Sequence, residues 1–223
     1  MGFVMAAWSG WKGDAMNCRK YEKGNLRDQV MQAIQQDIAI SGFMFQQQEG
    51  ALDAEHLELK QCALRQVALR DSKLLRPDWT DVVLEDCDLS NAVLRDGSFY
   101  KVTLRRCKLV GTDLSGSFLR EVTMEECSCR YLNLSFGQWR EVTMRDCDFS
   151  QASLDHVKHK NWKMADCNLR QTNLSQTLLG GMDLSSCEIG GILLHGEELR
   201  GVMVSEWQAP ELLRFLGVDI KES

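Results

Sequence analysis

Apolar residues return every five positions along most of this chain. Stepping from Leu59 gives Leu64, Leu69, Leu74, Trp79, Leu84, Leu89, Leu94, Phe99 and Leu104; the series runs on through Met124, Leu134, Trp139, Phe149, Leu169, Leu184 and Leu199 to Val204, thirty positions without an insertion. Two residues before each lies a second apolar or small position, as at Val82, Cys87, Ala92, Gly97, Val102, Cys107, Thr112 and Ser117. Each block of five therefore carries two inward and three outward side chains. A helix of 3.6 residues per turn, or a strand of period two, would smear this pattern around its surface.

A longer period lies on top. Cys87, Cys107, Cys127, Cys147, Cys167 and Cys187 recur every 20 residues, and Val82, Val102, Val122 and Val142 do the same five residues earlier. Four blocks thus close one coil, and equivalent residues stack coil on coil. Residues 57–206 make seven and a half such coils. At the ~4.8 Å spacing of neighbouring strands the rod is roughly 36 Å long.

The ends of a solenoid need covers, because each exposes an unpaired edge. Leu26, Val30, Ala33, Ile34 and Ile38 share one helical stripe behind Asn25, a cap residue with Asp28 three positions on, which predicts a helix over 25–40. After the array, Trp207-Gln208-Ala209-Pro210 breaks the register, Glu211–Leu216 reads as a short helix ended by Gly217, and Val218-Asp219-Ile220 reads as a strand. The expected organisation is a weakly patterned segment 1–24 with Trp8 and Trp11, a helical cap 25–50, the solenoid 51–206 and a tail 207–223. Met16 offers an alternative start.

Blocks such as Cys87-Asp88-Leu89-Ser90-Asn91, Thr112-Asp113-Leu114-Ser115-Gly116 and Thr172-Asn173-Leu174-Ser175-Gln176 resemble the pentapeptide-repeat family. That resemblance implies an all-β solenoid, a right-handed quadrilateral β-helix. The tail from Glu206 to Val218 is similar to that of the Qnr-type quinolone-resistance branch, where it joins two rods end to end. The likeness implies a homodimer interface built from Trp207, Leu212, Leu213, Phe215, Leu216, Val218 and Ile220. Many members of that branch carry loops that interrupt the coils, whereas the register here never breaks.

Composition changes the picture little: 44% hydrophobic and 26% charged residues are ordinary for a folded chain. Nine cysteines are an odd number with no CxxC pair, and no basic residue and secretory core precede them, so reduced thiols in a cytoplasmic protein are expected. The cysteine column sits one coil apart, whereas zinc needs four converging ligands. Cys127 and Cys129 form only a CxC on one strand, and His156 with His159 reads as a strand pair, His159 being expected as a buried imidazole with a hydrogen-bond partner. His56 and His195 are isolated. No nucleophile elbow, P-loop or dinucleotide fingerprint is present, and a rod filled by its own side chains leaves little concave volume, so neither enzymatic activity nor a cofactor is expected. No segment approaches the ~20 apolar residues of a membrane span. A net charge of −6 speaks against direct nucleic-acid binding and leaves protein partners.

The outward positions flanking the cysteine column draw an acidic stripe: Asp86, Asp88, Glu126, Asp146, Asp148, Asp166, Glu188 and Glu206, interrupted by Arg105, Arg106 and Lys108. Like charges stacked on neighbouring strands are destabilising, so the fold alone does not ask for them. On another face Arg120, Arg140 and Lys160 stack, with Glu121 and Glu141 beside them. Residues 57–110 hold ten basic and eight acidic groups, and residues 111–206 hold nine and fourteen. Resemblance to the Qnr-type branch implies a type II topoisomerase partner, DNA gyrase or topoisomerase IV, approached by a rod that partly imitates DNA. The competing expectation is a scaffolding repeat protein with an unrelated partner.

Overall fold

The computed structural model describes residues 21–218. Four parallel ladders run along a β-solenoid of about seven turns. Two lie in a ten-stranded sheet whose strands turn a corner, as Asp78–Glu85, Ser98–Arg105, Gln138–Arg145 and Lys158–Ala165 do. The other two are chains of single bridges, one through Asp88, Lys108, Ser128, Asp148, Asn168 and Glu188, the other through Val93, Asp113, Asn133, Ser153 and Asn173. From Asp53 onward partners are 20 residues apart, as in Trp79↔Phe99 and Met124↔Met144. The backbone bonds follow: Leu89 N–H donates to Lys108 O at 2.8 Å, and Lys108 N–H to Cys87 O at 2.8 Å.

The inward positions are buried along the rod, except at His159 and in the last coil, where Leu199, Val202 and Val204 are half-buried. Leu84, Cys87, Leu89, Ala92 and Leu94 are each no more than 2% exposed, and one continuous apolar cluster extends from Leu26 to Leu194. The smaller inward position has a second task. Thr112 Oγ1 donates to Leu89 O at 2.8 Å and Thr172 Oγ1 to Phe149 O at 2.8 Å, while Cys87 Sγ faces Leu64 O at 3.4 Å. Threonine, serine or cysteine there fills the corner and reaches a carbonyl of the preceding coil.

Corners are made by a backbone most residues avoid. Every fifth residue from His56 to Gln176 takes a positive φ, between 50 and 70°. For a non-glycine residue this costs ~1–2 kcal/mol, and coil-to-coil pairing over-determines it. The Asp/Asn-Leu-Ser sequence assists: Asp113 Oδ1 accepts from Ser115 N–H at 3.1 Å and Asn133 Oδ1 from Ser135 N–H at 3.1 Å. A short polar side chain thus bonds the backbone two residues on and pre-forms the bend.

Parallel pairing starts earlier than the five-residue pattern does. Ile40 pairs with Leu59, Phe45 with Leu64 and Gln48 with Val67, and Glu22 with Phe43. The offset of the first three is 19 residues, one short of a full coil, so the segment drops out of the five-residue register while still forming strands Ile40–Ser41 and Phe43–Glu49. Helix α1, Leu26–Gln36, lies over this end; Asn25 caps it by accepting from Asp28 N–H at 3.1 Å. Leu26, Val30 and Ala33 are buried, but Ile34 and Ile38, expected on the same stripe, are 54% and 49% exposed; the helix stops at Gln36, short of the expected 40, because Asp37 turns left-handed at φ 52°, so Ile38 lies beyond it. Gln48 bridges helix and coil, its Oε1 accepting from Leu26 N–H at 2.7 Å and its Nε2 donating to Gly24 O at 2.7 Å.

The other end is closed by side chains. Glu198, 3% exposed, accepts from Gln176 N–H at 2.8 Å and His195 N–H at 2.9 Å. Burial opposes its ionisation, but these bonds outweigh it and hold the carboxyl below its ordinary range. Gln208 Nε2 donates to Cys187 O at 2.6 Å and Leu184 O at 2.9 Å, and Glu211 Oε1 accepts from Gly191 N–H at 2.7 Å. Helix α2, Ala209–Leu213, carries Glu211, and Leu212 and Phe215 pack against the core of their own rod. Val218 lies in no strand; Ile220 falls outside the described residues, as do Trp8, Trp11 and Met16.

Large inward side chains require space from their neighbours. At Gly97 an added Cβ would lie 2.6 Å from the Phe99 ring, and at Gly137 it would press on the Trp139 indole nitrogen, well inside van der Waals contact. Trp139 in turn meets Trp162 edge-on at 4.8 Å between centroids. Gly137→Ala should therefore destabilise the rod by about 1–3 kcal/mol through overpacking, whereas Gly190→Ala, whose Cβ would meet nothing nearer than 3.5 Å, serves as the control. Urea unfolding reads both; equal midpoints would show that the aromatic rung has slack.

Candidate functional site

The rod offers a site only on its outward corners, faces and ends. The expected acidic stripe lies along one corner, where Asp86, Glu126, Asp146 and Asp166 have φ of 55, 53, 51 and 54° and point to solvent. Glu126, Asp146 and Asp166 stand on consecutive coils, about 4.8 Å apart.

The eight acidic residues do not form one group. Arg106 occupies the missing rung and holds Asp86 from Nε at 2.7 Å and Glu85 from a terminal nitrogen at 2.6 Å, which keeps the Asp86 carboxyl below its usual range. Arg65 reaches Glu85 at 2.7 Å and Arg105 reaches Glu125 at 2.6 Å, so the adjoining face is a ladder of alternating charge. Arg145 stands 3.1 Å from Asp146, and Arg170 3.5 Å from Glu188. Asp88 and Asp148 serve the corner itself: Asp88 Oδ1 accepts from Ser90 N–H at 3.0 Å and Oγ at 2.6 Å, and Asp148 Oδ1 from Ser150 N–H at 3.0 Å. Burial opposes the ionisation of Asp88, and the Ser90 bonds outweigh it. The exposed acidic run reduces to Glu126, Asp146, which shares an exposed ion pair with Arg145, and Asp166, with Glu206 exposed near the tail.

The tail divides in the same way. Leu212 and Phe215 close their own coil, whereas Trp207 is 84% exposed and Val218 45%. Leu178, Leu193 and Met203, also at this end, are 69%, 55% and 53% exposed. Leu213 is half-buried. Sequence reasoning missed Leu178, Leu193 and Met203; their signal was an apolar residue in an outward slot of the last coils.

All eight described cysteines are free and buried. Burial pushes the thiols of Cys62 and Cys129 up. Among the described residues no three His, Cys, Asp or Glu side chains converge to hold a metal. His159 is half-buried, not buried, because its ring tilts outward to donate from Nε2 to Leu178 O at 2.6 Å and meets Trp162 edge-on at 5.2 Å. His156 Nδ1 pairs with Asp155 at 2.8 Å and its ring stacks on Phe136, an exposed local cluster. No helix among the described residues is long and apolar enough to cross a membrane.

The family described as Pentapeptide repeat region matches residues 77–148, and that described as Pentapeptide repeats (8 copies) matches residues 163–196. The chain is a pentapeptide-repeat protein. QnrB1, a plasmid-mediated fluoroquinolone resistance protein, is similar in structure at 15% identity over 81% of this chain and 99% of that chain, with a TM-score of 0.27. HetL, a pentapeptide-repeat protein involved in heterocyst differentiation regulation from the cyanobacterium Nostoc sp. strain PCC 7120, is similar at 14% identity over 79% and 96%, with a TM-score of 0.31. A pentapeptide-repeat protein from the Arabidopsis thaliana thylakoid lumen is similar at 17% identity over 47% and 63%, with a TM-score of 0.20. No curated protein matches the chain. Pentapeptide-repeat proteins are in general structural or binding proteins.

In this pentapeptide-repeat rod the cysteine column acts as packing with weak hydrogen bonds to carbonyls. Native protein should leave these eight thiols unreactive toward a chromogenic disulfide reagent, and denaturation should release all of them together. Rapid reaction of even two in the folded state would contradict the packing account.

Proposed function

We propose that this pentapeptide-repeat protein is a non-catalytic, cytoplasmic binding protein whose acidic corner docks on a type II DNA topoisomerase, DNA gyrase in the first instance and topoisomerase IV as its relative. Docking there would modulate sensitivity to quinolones or other gyrase-directed toxins. The observation that carries the reading is the run Glu126, Asp146 and Asp166: three exposed carboxylates on successive corners, which cross-strand repulsion disfavours. The resemblance of the tail to Qnr-type sequences supports the same partner.

Magnitudes define the kind of mimicry. Duplex DNA carries one charge per ~1.7 Å, roughly 21 along a rod of this length, whereas residues 57–206 hold 22 acidic against 19 basic groups. Only a short stretch of one phosphate strand is imitated, at about one carboxylate per ~4.8 Å coil. The second reading, a scaffold for an unrelated protein, draws support from Arg106, which neutralises Asp86 and Glu85 at the end of the run that faces the first coils.

Replacing Glu126, Asp146 and Asp166 by Lys should leave the fold intact, since no core contact is lost. It should weaken gyrase binding by about tenfold or more and abolish any effect on supercoiling with or without a quinolone, and wild-type affinity should fall with added salt. Unaltered binding by the triple variant would return the stripe to a solvated face. A wild-type protein without effect on gyrase would leave the scaffold reading in its place.

The tail supports a homodimer joined at the C-terminal ends. Trp207 and Val218 are exposed in the tail and Met203 in the last coil, and each large side chain buried against a second copy contributes ~1.5–3 kcal/mol. Leu212 and Phe215 hold the tail in place. Trp207→Arg should give a monomer by light scattering with an unchanged circular dichroism spectrum; a persistent dimer would put the interface elsewhere.

A further inference from the structure

The opposite charge is gathered on a different face. Outward of the inward column Phe99, Leu119, Trp139 and His159 run two rows, one through Tyr100, Arg120, Arg140 and Lys160, the other through Ser98, Phe118, Gln138 and Lys158. Between them lies a shallow groove of about 660 Å³, lined by four cationic side chains and by no carboxylate. The Arg120 and Arg140 side chains are each 58% exposed, and Phe118 is 52% exposed. Tyr100 backs the first rung, its ring 4.9 Å from the Arg120 guanidinium. Leu178, 69% exposed, continues the second row beyond Lys158.

Three cations stacked on successive strands repel one another, a cost that packing does not require. Glu121 and Glu141, around the corner, each stand 3.6 Å from their neighbouring arginine. Pairs this exposed contribute little, so the guanidiniums remain available to an incoming carboxylate. The rungs are ~4.8 Å apart along the rod. Successive same-face carboxylates of an extended strand are ~6.7 Å apart and fall out of step by the third rung. A duplex packs its charge far more densely, one per ~1.7 Å. An α-helix with acidic residues at i, i+4 and i+7 spaces them by ~6 and ~4.5 Å along its axis, about 10.5 Å over two intervals, against about 9.6 Å for three rungs.

We propose that this groove is a docking site for an acidic amphipathic α-helix of a partner protein, whose carboxylate stripe pairs with Arg120, Arg140 and Lys160 while apolar residues beside that stripe cover Phe118 and Leu178. Charge complementarity calls for an acidic partner, and the exposed Phe118 and Leu178 beside the cations, which a phosphate backbone would leave uncovered, favour an amphipathic helix over a nucleic acid. The site is separate from the acidic corner, so the chain would hold two partners, or two parts of one, on different faces.

Fluorescence anisotropy with a labelled helical peptide of about five turns tests this, its glutamates at i, i+4, i+7 and i+11 with leucines alongside. A second peptide of the same composition with the glutamates scattered around the helix, and a single-stranded oligonucleotide of similar charge, are the comparisons. The wild-type chain should bind the striped peptide at least about fivefold more tightly than the scattered one, and added salt should weaken it. Arg120→Glu, Arg140→Glu and Lys160→Glu together should weaken binding about tenfold or more, whereas reversal of Glu126, Asp146 and Asp166 should leave it unchanged. If circular dichroism shows that the reversal disturbs the coil, Arg120→Gln, Arg140→Gln and Lys160→Gln take its place. Equal binding of both peptides, tighter binding of the oligonucleotide, or full binding by the charge variants would each overturn the proposal.

Discussion

Coil-to-coil pairing at a fixed 20-residue offset is the constraint on which everything else in this protein depends. Each coil takes its backbone partners from the coil before and the coil after, as Cys87, Lys108 and Leu89 illustrate, and one inserted residue would turn every later inward side chain outward. The corners show what this pairing overcomes. Residues as large as Tyr131 and Phe136 sit at φ of 58 and 61°, which an isolated chain would avoid and the ladders on either side impose. Because the interior must repeat, the molecule can vary only in what its corners and faces carry and in how its ends are closed.

The interior permits limited exchanges of volume. An inward Phe99 or Trp139 is accommodated by glycine two residues earlier, and a small inward Thr112 or Cys127 by a larger neighbour in the same coil and a carbonyl of the coil before. The aromatic rung has a cost of its own: the indole N–H groups of Trp79, Trp139 and Trp162 are buried without an acceptor among the described residues. A buried donor left unpaired costs ~1–3 kcal/mol, comparable with what the burial of so large a side chain contributes. Packing complementarity, more than polar satisfaction, therefore holds the middle of the rod.

Much of this was legible in the chain because two periods, five and twenty, both survive in the residues. The first coil was not, since the 19-residue step from Ile40 to Leu59 removes one residue and the five-residue count no longer reaches Phe45. Column arithmetic found Glu126, Asp146 and Asp166, and it also placed Arg106 in the column of Asp86, but it could not tell that the arginine would fold back onto both Asp86 and Glu85. Nor did it separate Asp88 and Asp148 from the stripe. The distinguishing signal was present, a serine two residues on, as in the Asp113-Leu114-Ser115 corner. The tail was harder still: which of Leu212, Leu213 and Phe215 turns inward depends on where Glu211 and Gln208 anchor the helix, and those bonds join residues about one coil apart.

A surface of this kind shapes recognition by spacing more than by total charge. Acidic and basic residues are nearly balanced over the coils, so long-range attraction is weak in salt, where the field of an exposed charge decays within ~8–10 Å. What survives screening is local register. The carboxylates of Glu126, Asp146 and Asp166 and the cations of Arg120, Arg140 and Lys160 are both held at the strand spacing by a backbone too well paired to adjust. A partner must bring its own charges at nearly that interval or lose contacts rung by rung, and the preorganised rod pays no ordering entropy when it does. The absence of inserted loops in the array then has a physical meaning: recognition falls to rigid ladders, whose selectivity comes from the interval itself, and the alternating Arg65, Glu85, Arg105 and Glu125 face is self-neutralised and offers neither sign to a partner.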